Sequence, residues 1–332
     1  MDIERIWFTA SHASGDQILD QLLLLLEEPG AVLLFAMLLE FMLPLPNSWR
    51  LERLSPIIKA MAAKVNLPSN TASQSYIAGF MLPLIIMGIA LIALLIVRMV
   101  AGFDALLSLL VLPFLLEQRC VLTPLINIKR ALDDGNKELA RHILQRRLTR
   151  ECDKLSVMGI SKAACEFAVV RLTTTWFAVL VWYMIAGLEG AFIMLLSSII
   201  ARCLPTNLKE NSSFGYCAYR IEQGLLILPV MALTCCMFLS LHPRRNYLCG
   251  LDGLHKSGLM GYLQGLLGAW GGISLGGPRY YEGELKRFPR VGGPANPDPG
   301  SALSLFRKVR ICGIVFVCVC VLAEAVAMGR AL

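Results

Sequence analysis

Residues 271–293, GGISLGGPRYYEGELKRFPRVGG, form the stretch richest in groups that could do chemistry, because glycine, charge and tyrosine crowd together there. Glycine-rich backbone can present N–H groups to an anion, as such loops do in other folds. The stretch matches neither common phosphate motif, since it contains no GxGxxG and no Gly-Lys-Ser/Thr follows it. Taken alone, it predicts either an anion-binding loop or a simple turn.

Metal and redox chemistry have little support in the sequence. The eleven cysteines are scattered without a CxxC pair, and several sit inside apolar runs. The four histidines, His12, His142, His242 and His255, are not spaced as metal ligands. The sequence therefore predicts neither a disulfide framework nor a zinc or haem site.

The composition predicts the elements that must position any site. The chain is 56% hydrophobic with mean hydropathy +0.62 and only 17% charged residues, whereas a soluble domain carries about 25% charged residues. Candidate apolar runs lie at 31–46, 76–97, 100–116, 172–185, 190–200, 224–241 and 311–328, and some of them are short enough to be re-entrant or buried in the bundle. We expect an all-α, polytopic helical membrane bundle. Glu40 and Glu189 lie in or beside these runs and are either interfacial or functional.

The connectors predict the orientation. Residues 47–75 and 119–162 are basic, and a helical hairpin at 76–116 puts them on one side, which the positive-inside rule makes cytoplasmic. No aromatic side chains interleave the charges, so a nucleic-acid partner is not expected. A helix is predicted over 137–155, following the turn DDGN, with an apolar stripe of Leu139, Ile143, Leu144 and Leu148.

The second half of the chain is predicted to keep its polar parts on the same side. Residues 172–201 are expected to form a second hairpin. If 224–241 crossed the membrane, the basic region 242–308 would face outwards against the charge rule. We therefore expect 224–241, which contains Pro229, to be re-entrant or buried.

Several polar segments resemble the motifs of the CobD/CbiB family, integral-membrane adenosylcobinamide-phosphate synthases of cobalamin biosynthesis. The resemblance runs from about residue 34 to 293, and its first matching residues are Glu40 and Pro44. Its strongest segments are ALDDGNKELAR (131–141), RECDKLSVMGISKAACEF (150–167), FGYCAYRIEQ (214–223) and LGGPRYYEG (275–283). It implies three regions: an N-terminal segment at 1–30, a family-like membrane domain at 31–294, and a linker with a C-terminal transmembrane helix at 295–332.

The resemblance implies ATP-dependent amide formation between adenosylcobyric acid and aminopropanol or its phosphate, with Mg²⁺ and ATP as cofactors and a corrinoid as substrate. Glu166 and Glu222 are the candidate Mg²⁺ ligands or bases, and Glu151 is a third candidate catalytic acid. Arg150 and Arg220 would face phosphate or substrate carboxylates. The remaining candidate substrate-binding residues are Ser257, Gly276, Gly277, Tyr281 and Gly283. The setting would be the bacterial inner membrane, with other late cobalamin-assembly membrane enzymes as partners.

The chain departs from the family's pattern where the family has acidic or amide residues. Those positions hold Val170, Arg171, Thr174, Ala201, Gln223, Leu259 and Gln264. Two alternatives therefore stay open, a catalytically degenerate relative acting as a membrane scaffold or AmpE-like regulator, and a transporter. A purely structural role also stays open for both acids. Glu166 could form an ion pair with Lys162 or Arg171, and Glu222 could form one with Arg220. Tyr280 and Tyr281 could instead be membrane-interface anchors.

Overall fold

The computed structural model describes residues 28–43, 49–238 and 242–331, and within them the protein is an all-α, polytopic membrane bundle with one small β-hairpin. Pro44 and nearly all of the predicted N-terminal segment, 1–30, lie outside the described residues.

The described helices follow one another with short connectors. They are α1 (Pro29–Met42), α2 (Ser55–Val65), α3 (Ala72–Ala101), α4 (Asp104–Leu115), α5 (Gln118–Asp133), α6 (Lys137–Gln145), α7 (Val157–Leu172), α8 (Ala178–Cys203), α9 (Tyr216–Met237), α10 (Pro243–Gly271) and α11 (Ser301–Ala331). A π-helical turn, Thr173–Phe177, joins α7 to α8.

Five helical stretches are long and apolar enough to cross a membrane. They are Ala72–Ala101, Asp104–Asp133, Val157–Cys203, Tyr216–Met237 and Ser301–Ala327. The first predicted run forms the shorter apolar helix α1. The predicted runs at 172–185 and 190–200 both fall within Val157–Cys203, on either side of a turn at Ala186 and Gly187.

Helix α8 contains the predicted second hairpin. Ala186 and Gly187 leave helical geometry, and Gly187 has φ 61°, a left-handed value that glycine adopts readily. Gly190 then lies against the carbonyl oxygen of Trp182, so the chain reverses direction at this turn. The prediction of a hairpin at 172–201 is confirmed.

Helix α10 reverses in the same way at Ser257 and Gly258, where Gly258 has φ 66°. Gly253 and Gly261 then lie against each other's carbonyl oxygens, so the two halves of α10 run antiparallel in close contact. The turn places Ser257 at the tip of a helical hairpin, where it lines the cavity described below.

Ion pairs and a helix-end contact tie one end of the bundle together. Arg98 near the end of α3 pairs with Asp104 at 2.5 Å and with Glu189 after the α8 turn. The backbone N–H of Gly30 donates to Glu324 of α11 at 3.1 Å. Glu189 therefore has an ion-pair partner, which favours a structural role for it.

The opposite end gathers the polar connectors, and here the predicted helix 137–155 is too long. Helix α6 ends at Gln145 and packs on α5 and α7. The backbone N–H of Cys152 donates to the Gln145 side chain at 2.8 Å, so the chain folds back. This fold brings Arg150 inwards, a position that a continued helix would not give it.

The glycine-rich stretch is an antiparallel hairpin of β1 (Ser274–Tyr281) and β2 (Glu284–Gly292), not a loop. Glu282 and Gly283 turn it with φ values of 49° and 77°, the positive values that two-residue hairpin turns require. A bulge lies between Gly276 and Pro278. The segment 224–237 is the continuous C-terminal part of α9, whose length permits a crossing, so re-entry stays a prediction. Residues 239–241 lie outside the described part.

Candidate functional site

A cavity of about 420 Å³ lies where α7, α8, α9, the α10 turn and the β-hairpin meet, and it is called the ligand cavity below. Five of the predicted site residues line it: Arg150, Glu166, Glu222, Ser257 and Tyr281. They come from segments spread over more than a hundred residues of sequence. The fold therefore brings together residues that the sequence singled out separately.

Glu166 is held by three donors in the interior of the protein. Its carboxylate accepts from Arg150 Nη1 at 2.7 Å and from the backbone N–H of Gly276 at 2.8 Å, and it lies 3.2 Å from Arg279 Nη2. Its ion-pair partners are therefore Arg150 and Arg279, and the alternative pairing with Lys162 or Arg171 is not found among the described ion pairs. The anion bound by the Gly276 N–H is the protein's own carboxylate.

Sequence reasoning missed Arg279, which lies on β1 beside Tyr281 and lines the cavity. Burial alone would lower the pKa of its guanidinium, but the combined attraction of Glu166 and Tyr281 outweighs burial and raises that pKa. Arg279 also lies 4.5 Å from the centre of the Phe288 ring. Strand alternation would have found it, because Arg279 and Tyr281 point to one face while Tyr280 is exposed.

Glu222 is a second buried carboxylate, 7% exposed, on the other wall of the cavity. The Ser198 hydroxyl donates to its Oε1 at 2.5 Å. The expected pairing with Arg220 is absent from the described ion pairs, and Arg220 is exposed and does not line the cavity. Residues two apart on a helix point in nearly opposite directions, so Arg220 and Glu222 cannot face one site.

Glu151, Gly277 and Gly283 also lie outside the cavity lining. Glu151 accepts from the Gly283 N–H at 2.6 Å, and its own N–H donates to the Tyr280 carbonyl at 2.9 Å. These bonds fix the tip of the hairpin to the segment before α7. Glu151 and Gly283 thus hold the β-hairpin in place from outside the cavity.

Several positions that depart from the family pattern line the same cavity. These are Val170, Arg171, Thr174, Ala201 and Gln264. Arg171 pairs with Glu52 at 2.6 Å and with the fully buried Glu117 at 3.3 Å. Burial would raise the pKa of Glu52, but the combined positive charge of Arg171, Arg202 and Arg147 outweighs burial and lowers that pKa.

The residues present do not form a resident Mg²⁺ site. Magnesium requires several oxygen ligands in near-octahedral geometry. Glu166 already accepts from two arginines and a backbone N–H, and Glu222 from Ser198. Over residues 28–43, 49–238 and 242–331, no group of three or more His, Cys, Asp or Glu side chains is placed to hold a metal ion.

Comparisons with known proteins agree on one family. The family model described as CobD/CbiB protein matches residues 33–312. The chain is 25% identical over 190 residues to "Cobalamin biosynthesis protein CobD" of Chromobacterium violaceum, covering 54% of this chain and 60% of that protein. It is 26% identical over 157 residues to the protein of the same name from Stutzerimonas stutzeri, covering 46% and 50%.

A third relative, the protein of that name from Brucella suis, is 24% identical over 196 residues, covering 56% of this chain and 60% of its own. The chain thus spans about half to three fifths of the length of these curated relatives. No solved structure matches the chain. Because the family model covers most of the sequence, 33–312, the protein belongs to the CobD/CbiB family.

Proposed function

We propose that the protein is a membrane enzyme of cobalamin biosynthesis that joins aminopropanol, or its phosphate, to a carboxylate of adenosylcobyric acid in an ATP-dependent reaction. Family membership and the printed names of its relatives support this proposal. The observation that carries it is the ligand cavity, in which Arg150, Glu166, Glu222, Ser257 and Tyr281 converge.

The reaction needs an activated carboxylate. A substrate carboxylate oxygen takes the terminal phosphoryl group of ATP, giving an acyl phosphate and ADP. The amine nitrogen then attacks the carbonyl carbon, the carbon–oxygen bond to phosphate breaks, and the nitrogen loses a proton. This sequence requires cations facing the phosphates and a base near the amine.

The lining residues supply both kinds of group. Arg147, Arg171 and Arg202 put positive charge on the cavity wall. Glu222 is the proposed base, because its Oε1 is occupied by Ser198 while its carboxylate faces the cavity. Glu166 is the positioning residue in this proposal, since it fixes Arg150 and the hairpin arginine Arg279.

The proposed location is the inner membrane of a bacterium, with the cavity opening on the cytoplasmic side. The basic connectors gather at the cavity end of the bundle, which agrees with the positive-inside rule. A corrinoid and an aminopropanol-type amine are the proposed substrates, and other late cobalamin-assembly membrane enzymes are the proposed partners.

The test is product formation by the purified protein in detergent, with Mg²⁺, ATP, adenosylcobyric acid and aminopropanol phosphate, followed by mass spectrometry. Glu222→Gln should retain the fold, because the amide oxygen still accepts from Ser198, and should lower the rate by about 100-fold or more, the scale of general-base catalysis. Glu138→Gln is the matched control, since the Glu138 side chain is 82% exposed. Absence of amide product from folded wild-type protein, or full activity in Glu222→Gln, would overturn the proposal.

A further inference from the structure

Arg202 lies where the ligand cavity meets its neighbours. It lines the ligand cavity and two further cavities. The first, called the basic groove, has a volume of about 1310 Å³ and lies between α2, α5, α6 and the end of α8. The second, of about 820 Å³, lies beside the connector after α8. Thr149 also lines all three, so this pair marks their junction.

The guanidinium of Arg202 is left without hydrogen bonds. Its Nη1 and Nη2 are shielded from solvent and have no hydrogen-bond partner within the described ranges, 28–43, 49–238 and 242–331. A buried arginine normally pairs its donors, because leaving a charged group unsatisfied is costly. The two terminal nitrogens of Arg202 can therefore both donate hydrogen bonds to one anion.

Among the described residues, no carboxylate around Arg202 forms an ion pair with it. Glu52, Glu117 and Glu222 contribute to its electrostatic surroundings. Glu52 and Glu117 pair with Arg171, and Glu222 accepts from Ser198. Glu117 keeps one carboxylate oxygen without a hydrogen bond, but no carboxylate of the described residues lies within ion-pair distance of Arg202.

The charge of the basic groove favours a multiply charged ligand. Its lining has a single carboxylate, Glu52, against eight arginine and lysine side chains: Arg50, Arg53, Lys59, Arg119, Arg146, Arg147, Arg171 and Arg202. Phosphate suits this excess better than a carboxylate, because it carries up to two negative charges and accepts bidentate bonds from arginine.

We propose that Arg202, with Thr149 and the neighbouring Arg171, binds a phosphate group at the junction of the three cavities, and does so without a divalent cation. The guanidinium of Arg202 then supplies, at the junction of the three cavities, the positive charge that a divalent cation would otherwise supply. The ligand class is a phosphate-bearing small molecule, either an amine phosphate or a nucleotide. This inference deepens the proposed function, since both are substrates of the proposed reaction, but binding does not depend on turnover.

The test measures binding to purified, lipid-depleted protein in an uncharged detergent, with EDTA and no other phosphate in the buffer. Inorganic phosphate, phosphoethanolamine and ATP are titrated separately by calorimetry. Saturable binding in EDTA is expected. Tighter binding of phosphoethanolamine would identify the ligand as an amine phosphate, and tighter binding of ATP would identify it as a nucleotide. Arg202→Met should weaken binding by about 10- to 100-fold, the scale of a lost charge-assisted hydrogen bond. Binding of phosphate only when Mg²⁺ is present would overturn the proposal.

Two controls separate a binding role from a structural one. Arg130→Gln removes a charge from the exposed face of α5 outside the three cavities, and it should leave the affinity within about twofold, since exposed charges contribute little. Arg202→Lys keeps the charge but loses the fork, so its affinity should be intermediate. An Arg202→Met affinity equal to that of Arg130→Gln would contradict the assignment.

Stability gives a second readout. Replacing an unpaired buried charge by an apolar side chain is neutral or stabilising, so ligand-free Arg202→Met should melt at or above the wild-type temperature. Phosphate should raise the melting temperature of the wild type but not of this variant. A strongly destabilised variant would show that Arg202 has a structural partner, which overturns the proposal. Phosphate binding without amide product would instead refute only the proposed function.

Discussion

The buried carboxylate of Glu166 allows a sharp test of the site's construction. Glu166→Gln keeps the size of the side chain but removes its charge, so Arg150 and Arg279 lose their shared counter-ion. The Arg150 and Glu166 side chains are 10% and 8% exposed, and the side chain of Arg279 is 13% exposed. Solvent can therefore do little to compensate the two arginines.

The expected loss of stability is large. Breaking a buried ion pair by removing one partner costs about 3–5 kcal/mol, because the remaining charge is buried without compensation. At roughly 2 °C per kcal/mol for a large chain, the melting temperature should fall by about 6–10 °C. The measurement is thermal unfolding in detergent, followed by tryptophan fluorescence.

A second variant identifies the cause. Glu166→Gln combined with Arg279→Gln removes one of the stranded charges, so the double variant should be less destabilised than the sum of the single changes, by about 0.5–3 kcal/mol. The matched control is Glu138→Gln, whose exposed ion pair with Arg141 should contribute less than about 1 kcal/mol. A Glu166→Gln melting temperature indistinguishable from that of Glu138→Gln would refute the reasoning.

Two further predictions concern the bundle itself. Gly79→Ala should destabilise the protein, because an added methyl would overlap the carbonyl oxygen of Phe214, whereas Gly88→Ala on the same helix meets nothing within 4 Å and should be neutral or stabilising by up to about 1 kcal/mol; equal melting temperatures for these variants would contradict the packing of α3 on this connector. The pKa of Glu52 is lower in the folded protein than its ordinary value of 4.5, so the charged carboxylate stabilises the fold. This stabilisation is complete above pH 4.5 and is lost as the pH falls through the pKa of Glu52 in the folded protein. The difference in melting temperature between wild type and Glu52→Gln should therefore shrink as the pH is lowered from 6 towards 3, and a difference that does not change with pH would be inconsistent with this pairing.

Much of the site could be predicted from the sequence, and much could not. The motifs that resemble the family single out Arg150, Glu166, Glu222, Ser257 and Tyr281, and all five line one cavity. Arg220 is exposed and lies outside this cavity, which agrees with helix geometry, because Arg220 sits two residues from Glu222 on α9. Glu151 was placed among the catalytic acids, yet it bonds the hairpin turn.

The sequence by itself determined the class of the protein and the distribution of its charges. Long apolar runs require helices in a membrane, because each helix satisfies its own backbone hydrogen bonds there. The turn inside α8 was also predictable, since the apolar run breaks around Gly187 and Glu189. These features depend on near neighbours in the chain, so local patterns are sufficient to find them.

Only the tertiary structure decided which groups bond to each carboxylate. Glu166 bonds to Gly276, 110 positions away, and Glu222 bonds to Ser198, 24 positions away. The β-hairpin and the unpaired guanidinium of Arg202 likewise depend on which helices pack around them. Partners of buried charges are chosen by packing between distant segments, and no local pattern in a single sequence records that choice.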